Sequence, residues 1–225
     1  MIMKKVYVVI PAYNEERRLP DLIKKLRVYI PLSQIVVVDD GSRVKVADFL
    51  PKRVWVARHR VNLGKGMALR TGCDLAIRLG AETIILMDAD GQHDPKEIPA
   101  FITQLKKGYQ VVFGARRVDK RMPVWRKGGN AFLNKVVRVL FGLNLCDVWC
   151  GYRAFRAKVY EKIVWDSSDY SSDVEMAVAV GLNKLKHTEH FVGTIYHDKG
   201  STTGTTLHDG IKLLIELFFW RLQKI

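Results

Sequence analysis

The sequence predicts an α/β fold, a mostly parallel sheet with helices on both faces, and three observations carry that prediction. Short apolar runs alternate with amphipathic helical segments through the first half of the 225-residue chain. Strands separated by helices call for parallel pairing, with the crossovers covering the sheet. Each run also ends in a loop of Asp, Asn, Gly or Ser, and in open α/β sheets ligands bind beyond the carboxyl ends of the strands. The clearest such end is at residues 83–87, Thr-Ile-Ile-Leu-Met, which stops abruptly in two carboxylates, Asp88 and Asp90, followed by Gly91 and a helix-starting Asp94-Pro95.

Taken in order, residues 4–10 form an apolar strand, and residues 15–29 a helix with Leu19, Leu22, Ile23, Leu26 and Ile30 at helical spacing. Residues 34–38 are a second strand, 44–50 a short helix and 53–57 a third strand. A helix over 65–79, the strand 83–87, a helix over 95–106 and a strand over 110–113 complete the alternation. Beyond Gly114 the pattern changes. A basic loop leads to a helix over 130–141, then residues 151–155, a helix from Ala157 and another over 173–185. A strand over 189–195, a Gly/Ser/Thr-rich loop over 200–206 and a final helix over 207–225 follow. With no repeat or linker, the reading is one domain over 1–206 with an appended amphipathic helix over 207–225. On that helix Asp209, Lys212, Glu216 and Gln223 form a narrow polar stripe, and Leu213, Phe218, Phe219 and Trp220 belong to the apolar remainder. So apolar a helix packs in a core or lies in a membrane interface. Trp220, Arg221 and Lys224 suit the headgroup boundary and favour the interface.

Composition narrows the classes. Hydrophobic residues are 48% of the chain and charged residues 27%, which excludes a disordered protein. Three cysteines, Cys73, Cys146 and Cys150, argue against a disulfide framework and suit a reducing compartment. The pair Cys146 and Cys150 has no second Cys/His pair near it, so a zinc site is not expected. No signal peptide and no membrane-spanning apolar stretch is recognisable. The formal charge of +14, from 37 Lys and Arg against 23 Asp and Glu, favours anionic partners. Arg116, Arg117, Lys120, Arg121, Arg126 and Lys127 concentrate it in one segment.

Four loops gather at the predicted sheet edge: Pro11-Ala-Tyr13-Asn14-Glu15-Glu16, Asp39-Asp40-Gly41-Ser42, Asn62-Leu-Gly64-Lys65-Gly66 and Asp88-Ala89-Asp90-Gly91-Gln92. None matches a dinucleotide fingerprint or a Walker phosphate loop. Asp88 and Asp90 repel each other, and a divalent cation that completes its shell with substrate phosphates is the usual compensation. Asp39 can accept from a base N–H or a ribose hydroxyl. Gly64 and Gly66 permit close backbone approach, and Lys65 offers a phosphate contact.

Together with Val38 and Met87-Asp-Ala-Asp-Gly-Gln-His93, these motifs resemble the family-two glycosyltransferases of the GT-A fold. The second half resembles a narrower group, the polyprenyl-phosphate (dolichyl-phosphate) mannose and glucose synthases. Gly114-Ala-Arg116-Arg117, Arg126-x3-Asn130, Asp147-x3-Gly151-Tyr-Arg153 and Ser171-Ser-Asp173-Val-Glu175 carry that likeness. The resemblance implies a nucleotide-sugar pocket from Pro11, Tyr13, Glu15, Asp39, Lys65, Asp88, Ala89 and Asp90. It implies Mg²⁺ or Mn²⁺ on Asp88, Asp90 and Gln92, and acceptor phosphate on Arg116, Arg126 and Arg153. Asp90, Arg116, Arg126 and Asp173 take the catalytic positions.

The implied reaction is an inverting transfer of a hexose from a UDP- or GDP-linked donor to polyprenyl phosphate. A hydroxyl acceptor needs a carboxylate base, and Asp173 is where hydroxyl-accepting relatives would place one. A lipid phosphate is already anionic, its second pKa resembling the value of about 6 of other phosphomonoesters. Asp173 is therefore expected to orient a cationic side chain or a sugar hydroxyl. The resemblance and the charge together imply a peripheral protein on the cytoplasmic face of the cell membrane, with an anionic surface and no nucleic acid as partner. Two other readings remain: a soluble transferase acting on a saccharide hydroxyl, and a non-enzymatic basic nucleic-acid binder.

Overall fold

A computed structural model describes residues 5–116, 124–193 and 207–223, with the side chains of 124–127, 207–213 and 223 outside that description. Seven strands, β1 (Val6–Ala12), β2 (Ile35–Asp39), β3 (Trp55–Arg58), β4 (Thr83–Leu86), β5 (Val111–Arg116), β6 (Arg153–Arg156) and β7 (His187–Val192), form one sheet. The helices are α1 (Leu19–Leu26), α2 (Lys65–Arg78), α3 (Ile98–Lys106), α4 (Val124–Phe141), α5 (Tyr160–Ile163), α6 (Ser171–Leu182) and α7 (Leu207–Gln223). The strand order is β3-β2-β1-β4-β6-β5-β7. All neighbours run parallel except β6, which is antiparallel to both β4 and β5. The mostly parallel α/β sheet expected from the sequence is therefore present.

The central strands are continuous apolar runs because both of their faces are covered. Along β1, Val9 joins Val36, Val38, Ile84 and Leu86 under α2, α4 and α6. Its neighbours Val8 and Ile10 join Val37 and Ile85 under α1 and α3. Successive residues thus feed opposite layers, as a period of two requires. The chain order reverses around β1, which pairs with β2 on one side and β4 on the other. This switch point brings the loops after β1, β2 and β4 side by side.

Several elements differ from expectation. α1 starts at Leu19 rather than residue 15, with Pro20 in its first turn, where a missing N–H costs nothing. The helix expected over 44–50 is a single 3-10 turn, Val46–Asp48. Residues 110–113 extend to Arg116, so Arg116 is the last residue of a strand. Residues 151–155 become the antiparallel β6, inserted between β4 and β5. Arg117, Lys120, Arg121 and the loop 200–206 lie outside the described residues.

The final helix is neither wholly core nor wholly surface. Leu217 is buried, and Leu214 and Trp220 pack against the same core as α4 and α6. Trp220, expected at a headgroup boundary, therefore belongs to the inner face. Ile215, Phe218, Phe219 and Leu222 are more than half exposed and recur at helical spacing on the outer face. Among the described residues no helix is long and apolar enough to cross a membrane.

Candidate active site

The loops after β1 and β2 are laced together. Asn14, in the left-handed region at φ 56°, donates its N–H to Ser42 Oγ at 3.0 Å, and its side-chain oxygen accepts from Arg43 N at 2.9 Å. Asp39 is fully buried. Its Oδ1 accepts from Ser42 N at 2.9 Å, while Oδ2 accepts from Val46 N at 3.1 Å and from Arg58. Asp39, expected to read a nucleoside, is here committed to anchoring its own loop. Burial would raise its pKa, but these donors outweigh burial and lower it. Asp40 does the same for the next loop, accepting from Leu63 N and Gly64 N, each at 2.9 Å, and pairing with His59 at 2.7 Å.

Gly64 and Gly66 serve the chain rather than a phosphate. A Cβ at either position would meet the carbonyl oxygen of Ser168 or Ser167 at 2.3 or 2.1 Å, and Gly66 N donates to Ser168 O at 2.7 Å. The close backbone approach read from the sequence is thus made by the 167–168 segment. Glu175 holds that segment through Asp166 N, Ser167 N and Ser167 Oγ.

Lys65, the first residue of α2, reaches Asp88 Oδ1 at 2.8 Å and Asp173 Oδ2 at 3.1 Å. Burial alone would lower its pKa, but the two carboxylates outweigh burial and raise it, so the ammonium stays charged. The same pairing holds Asp88, which burial alone would raise, down to about 2. Asp88 N donates to His93 Nδ1 at 3.1 Å, which places the imidazole proton on Nε2, and His93 stacks on Tyr152 with ring centroids 4.8 Å apart. Gly151 completes the enclosure, since a Cβ there would lie 2.8 Å from Lys65 Nζ and 3.0 Å from Asp88 Oδ2.

Asp90 stands differently. Its Oδ1 accepts from Gln92 N at 2.9 Å, and among the described residues it forms no ion pair. Burial and then the nearby Asp90 carboxylate push the Glu15 carboxyl up, against the pull of Arg18, so the β1 and β4 loops face each other electrostatically. Pro11 and Gln92 are half-buried, Tyr13 is exposed and Ala89 is buried.

The arginines divide. Arg153 is fully buried and donates Nε to Cys150 O at 2.9 Å, Nη2 to Val148 O at 2.7 Å and Nη1 to Asp173 O. It therefore organises the 148–150 loop and has no exposed surface for the acceptor phosphate implied for it. Arg116 is partly exposed and held edge-on by Asp147, with Nε at 2.7 Å, Nη2 at 3.0 Å and its backbone N at 3.1 Å. Arg126 lies on α4, its side chain outside the described residues.

The model of "Glycosyl transferase family 2" matches residues 7–164. The chain belongs to that family. It is a glycosyltransferase. A UDP-N-acetylglucosamine–dolichyl-phosphate N-acetylglucosaminyltransferase of Methanococcus voltae is 29% identical, over all of this chain and 99% of that protein. A polyprenol monophosphomannose synthase of Mycolicibacterium smegmatis is 32% identical, over 77% of this chain and 71% of that protein. A glucosyl-3-phosphoglycerate synthase of Mycobacterium tuberculosis, solved with Mn²⁺, UDP and glucosyl-3-phosphoglycerate, shares the fold. Its TM-score is 0.70 at 18% identity, over 96% of this chain and 79% of that one.

Within this glycosyltransferase, the residues present fit a divalent ion of a particular kind. Among the described residues no three His, Cys, Asp or Glu side chains are assembled around one point. Asp90 and Gln92 offer few, hard, oxygen donors, which suits an ion that takes the rest of its shell from phosphates. Sequence reasoning placed Asp40, Arg58 and Asp147 in the motif loops but gave none of them its role: Asp40 as anchor of the 63–64 turn, Arg58 as partner of Asp39, and Asp147 as support of Arg116. Arg58 ends β3 directly beside Asp39 of β2, a cross-strand pairing that the sequence alone does not give.

Proposed function

We propose that this glycosyltransferase moves a hexose, with inversion, from a UDP- or GDP-linked donor to polyprenyl phosphate, using Mg²⁺ or Mn²⁺ held at Asp90 and Gln92. The observation that carries this reading is the closure of Asp173. At 4% exposure, with Oδ2 on Lys65 and Oδ1 4.0 Å from Arg153 Nη2, its carboxylate is enclosed between two cations that hold it in place. A carboxylate so enclosed and paired is a poor general base, which suits an acceptor that arrives already ionised. The names of the two relatives point the same way.

In the transfer, an acceptor phosphate oxygen attacks the anomeric carbon as the bond from that carbon to the diphosphate oxygen breaks. The nucleoside diphosphate leaves and no proton moves. The divalent ion supplies neutralisation of the charge that builds on the departing diphosphate. Arg116, aimed by Asp147, positions the acceptor anion through charge-assisted hydrogen bonds. Pro11, Tyr13 and Glu15 border the donor side. If no base is needed, Asp173→Asn keeps transfer to polyprenyl phosphate within about tenfold, whereas loss of a general base costs about 10²–10⁴-fold. A loss in that larger range would return the chain to the hydroxyl-acceptor reading.

The lipid acceptor requires a membrane surface, and the outer face of α7 suits one. Ile215, Phe218, Phe219 and Leu222 are exposed there, and α4, packed against α7, exposes Phe132 and Val139 beside Lys135 and Arg138. Each basic residue near an anionic bilayer adds about 1 kcal/mol, enough for a few to give reversible docking. The three unpaired cysteines support the reducing, cytoplasmic face. The protein is expected to float with anionic liposomes at low salt, and Phe218→Ser with Phe219→Ser to weaken that binding. A native protein that stays in the soluble fraction would count against peripheral docking.

A further inference from the structure

Lys65 sits where the donor half and the second half of the chain meet. Asp88, just beyond β4, lies 2.8 Å from its ammonium, and Asp173 of α6 lies 3.1 Å away. The Tyr170 ring is 5.4 Å from the same nitrogen, and Gly151 closes over it. The Lys65 side chain is only 14% exposed. Two carboxylates converging on one enclosed cation are the surroundings of a divalent-metal site, except that the cation here is part of the chain. The repulsion between Asp88 and Asp90 that the sequence presents is thus already relieved on the Asp88 side.

We infer that Lys65 is a resident cation occupying a potential metal position between Asp88 and Asp173, and that it thereby makes metal capture at Asp90 depend on the nucleoside diphosphate. With Asp88 neutralised, Asp90 is the single carboxylate of this loop left to attract a divalent ion. Asp90 and Gln92 supply two donors where such an ion takes about six, so without diphosphate oxygens most of the shell is water and binding is weak. Metal and donor then bind as one unit, and the protein does not load with metal ahead of the sugar nucleotide. Lys65 is a positioning residue in this scheme and touches neither substrate. The inference rests on the proposed reading of Asp90 as the metal ligand.

Mn²⁺ binding to the full chain, followed by electron paramagnetic resonance without and with UDP or GDP, tests it. The native protein should bind Mn²⁺ alone weakly and bind it tightly with nucleotide. Lys65→Met leaves Asp88 and Asp173 without their cation, so Mn²⁺ alone should bind roughly tenfold or more tightly than to the native protein. Lys65→Arg, which keeps the charge, should behave as the native protein does. If Lys65→Met folds only marginally, Mn²⁺ alone should raise its melting temperature and leave that of the native protein unchanged. A folded Lys65→Met with native affinity for Mn²⁺ alone, or native protein that loads Mn²⁺ equally with and without nucleotide, overturns the inference. Asp90→Ala separates the two ideas. If it retains nucleotide-linked Mn²⁺ binding, the functional reading of Asp90 fails. If it loses that binding while Lys65→Met changes nothing, only the Lys65 inference fails.

Discussion

Asp90→Ala is expected to fold normally and to transfer no measurable sugar, with a loss of roughly 10³-fold or more in kcat/KM. Asp90 is half-exposed and its only hydrogen bond among the described residues is the turn contact from Gln92 N, so the fold loses little. Removing one electrostatic stabiliser of a developing anion costs about 10²–10³-fold, and here the substitution also removes the anchor of a divalent ion. Steady-state kinetics with saturating Mn²⁺ and a thermal melt on the same preparation check both halves. Normal turnover by this variant in the presence of a chelator would end the metal assignment.

Arg153→Met is expected to destabilise the fold by about 3–5 kcal/mol, the range for breaking a buried charged network by removing one partner. The guanidinium satisfies the carbonyls of Cys150, Val148 and Asp173 in a fully buried setting. Methionine fills the space and leaves the loop carbonyls of Cys150 and Val148 without donors, each costing about 1–3 kcal/mol when nothing relaxes, while the Asp173 carbonyl stays within the α6 ladder. Because those bonds fix both the 148–150 loop and the start of α6, activity should fall with stability rather than independently of it. Urea denaturation reads the first effect. A variant as stable as the native protein with a selective defect in acceptor use would restore Arg153 as a phosphate ligand.

The contrast between Asp90 and Arg153 shows what the sequence conveys. The Asp88-Ala-Asp90 loop was legible because an apolar run ending in acids marks a strand end without help from the rest of the chain. The alternation of β1, β2, β3 and β4 with α1 and α2 was legible for the same local reason, except that the segment between β2 and β3 is a 3-10 turn and not a helix. Arg153 was misread because its burial follows from β6 lying between β4 and β5, and no local pattern announces an antiparallel insertion four residues long. The Lys65–Asp173 pair joins residues 108 positions apart, so the sequence could expect Asp173 to orient a cationic side chain without naming Lys65 as that side chain. Gly64 and Gly66 signalled a close approach correctly but not by what. α7 turns one face, with Leu217, to the core and leaves another, with Phe218, exposed, a division its composition alone does not give.

The most direct test is acceptor choice by the native protein. With a UDP- or GDP-hexose donor, Mn²⁺ and mixed vesicles carrying equal amounts of polyprenyl phosphate and the polyprenol of the same chain length, sugar should appear on the phosphate alone. Both acceptors present the same apolar chain, so the ratio reads what the phosphate contributes: an acceptor that needs no base and an anion for Arg116 to position. Sugar transfer to the polyprenol, or to a saccharide hydroxyl in preference to the lipid phosphate, would contradict the account.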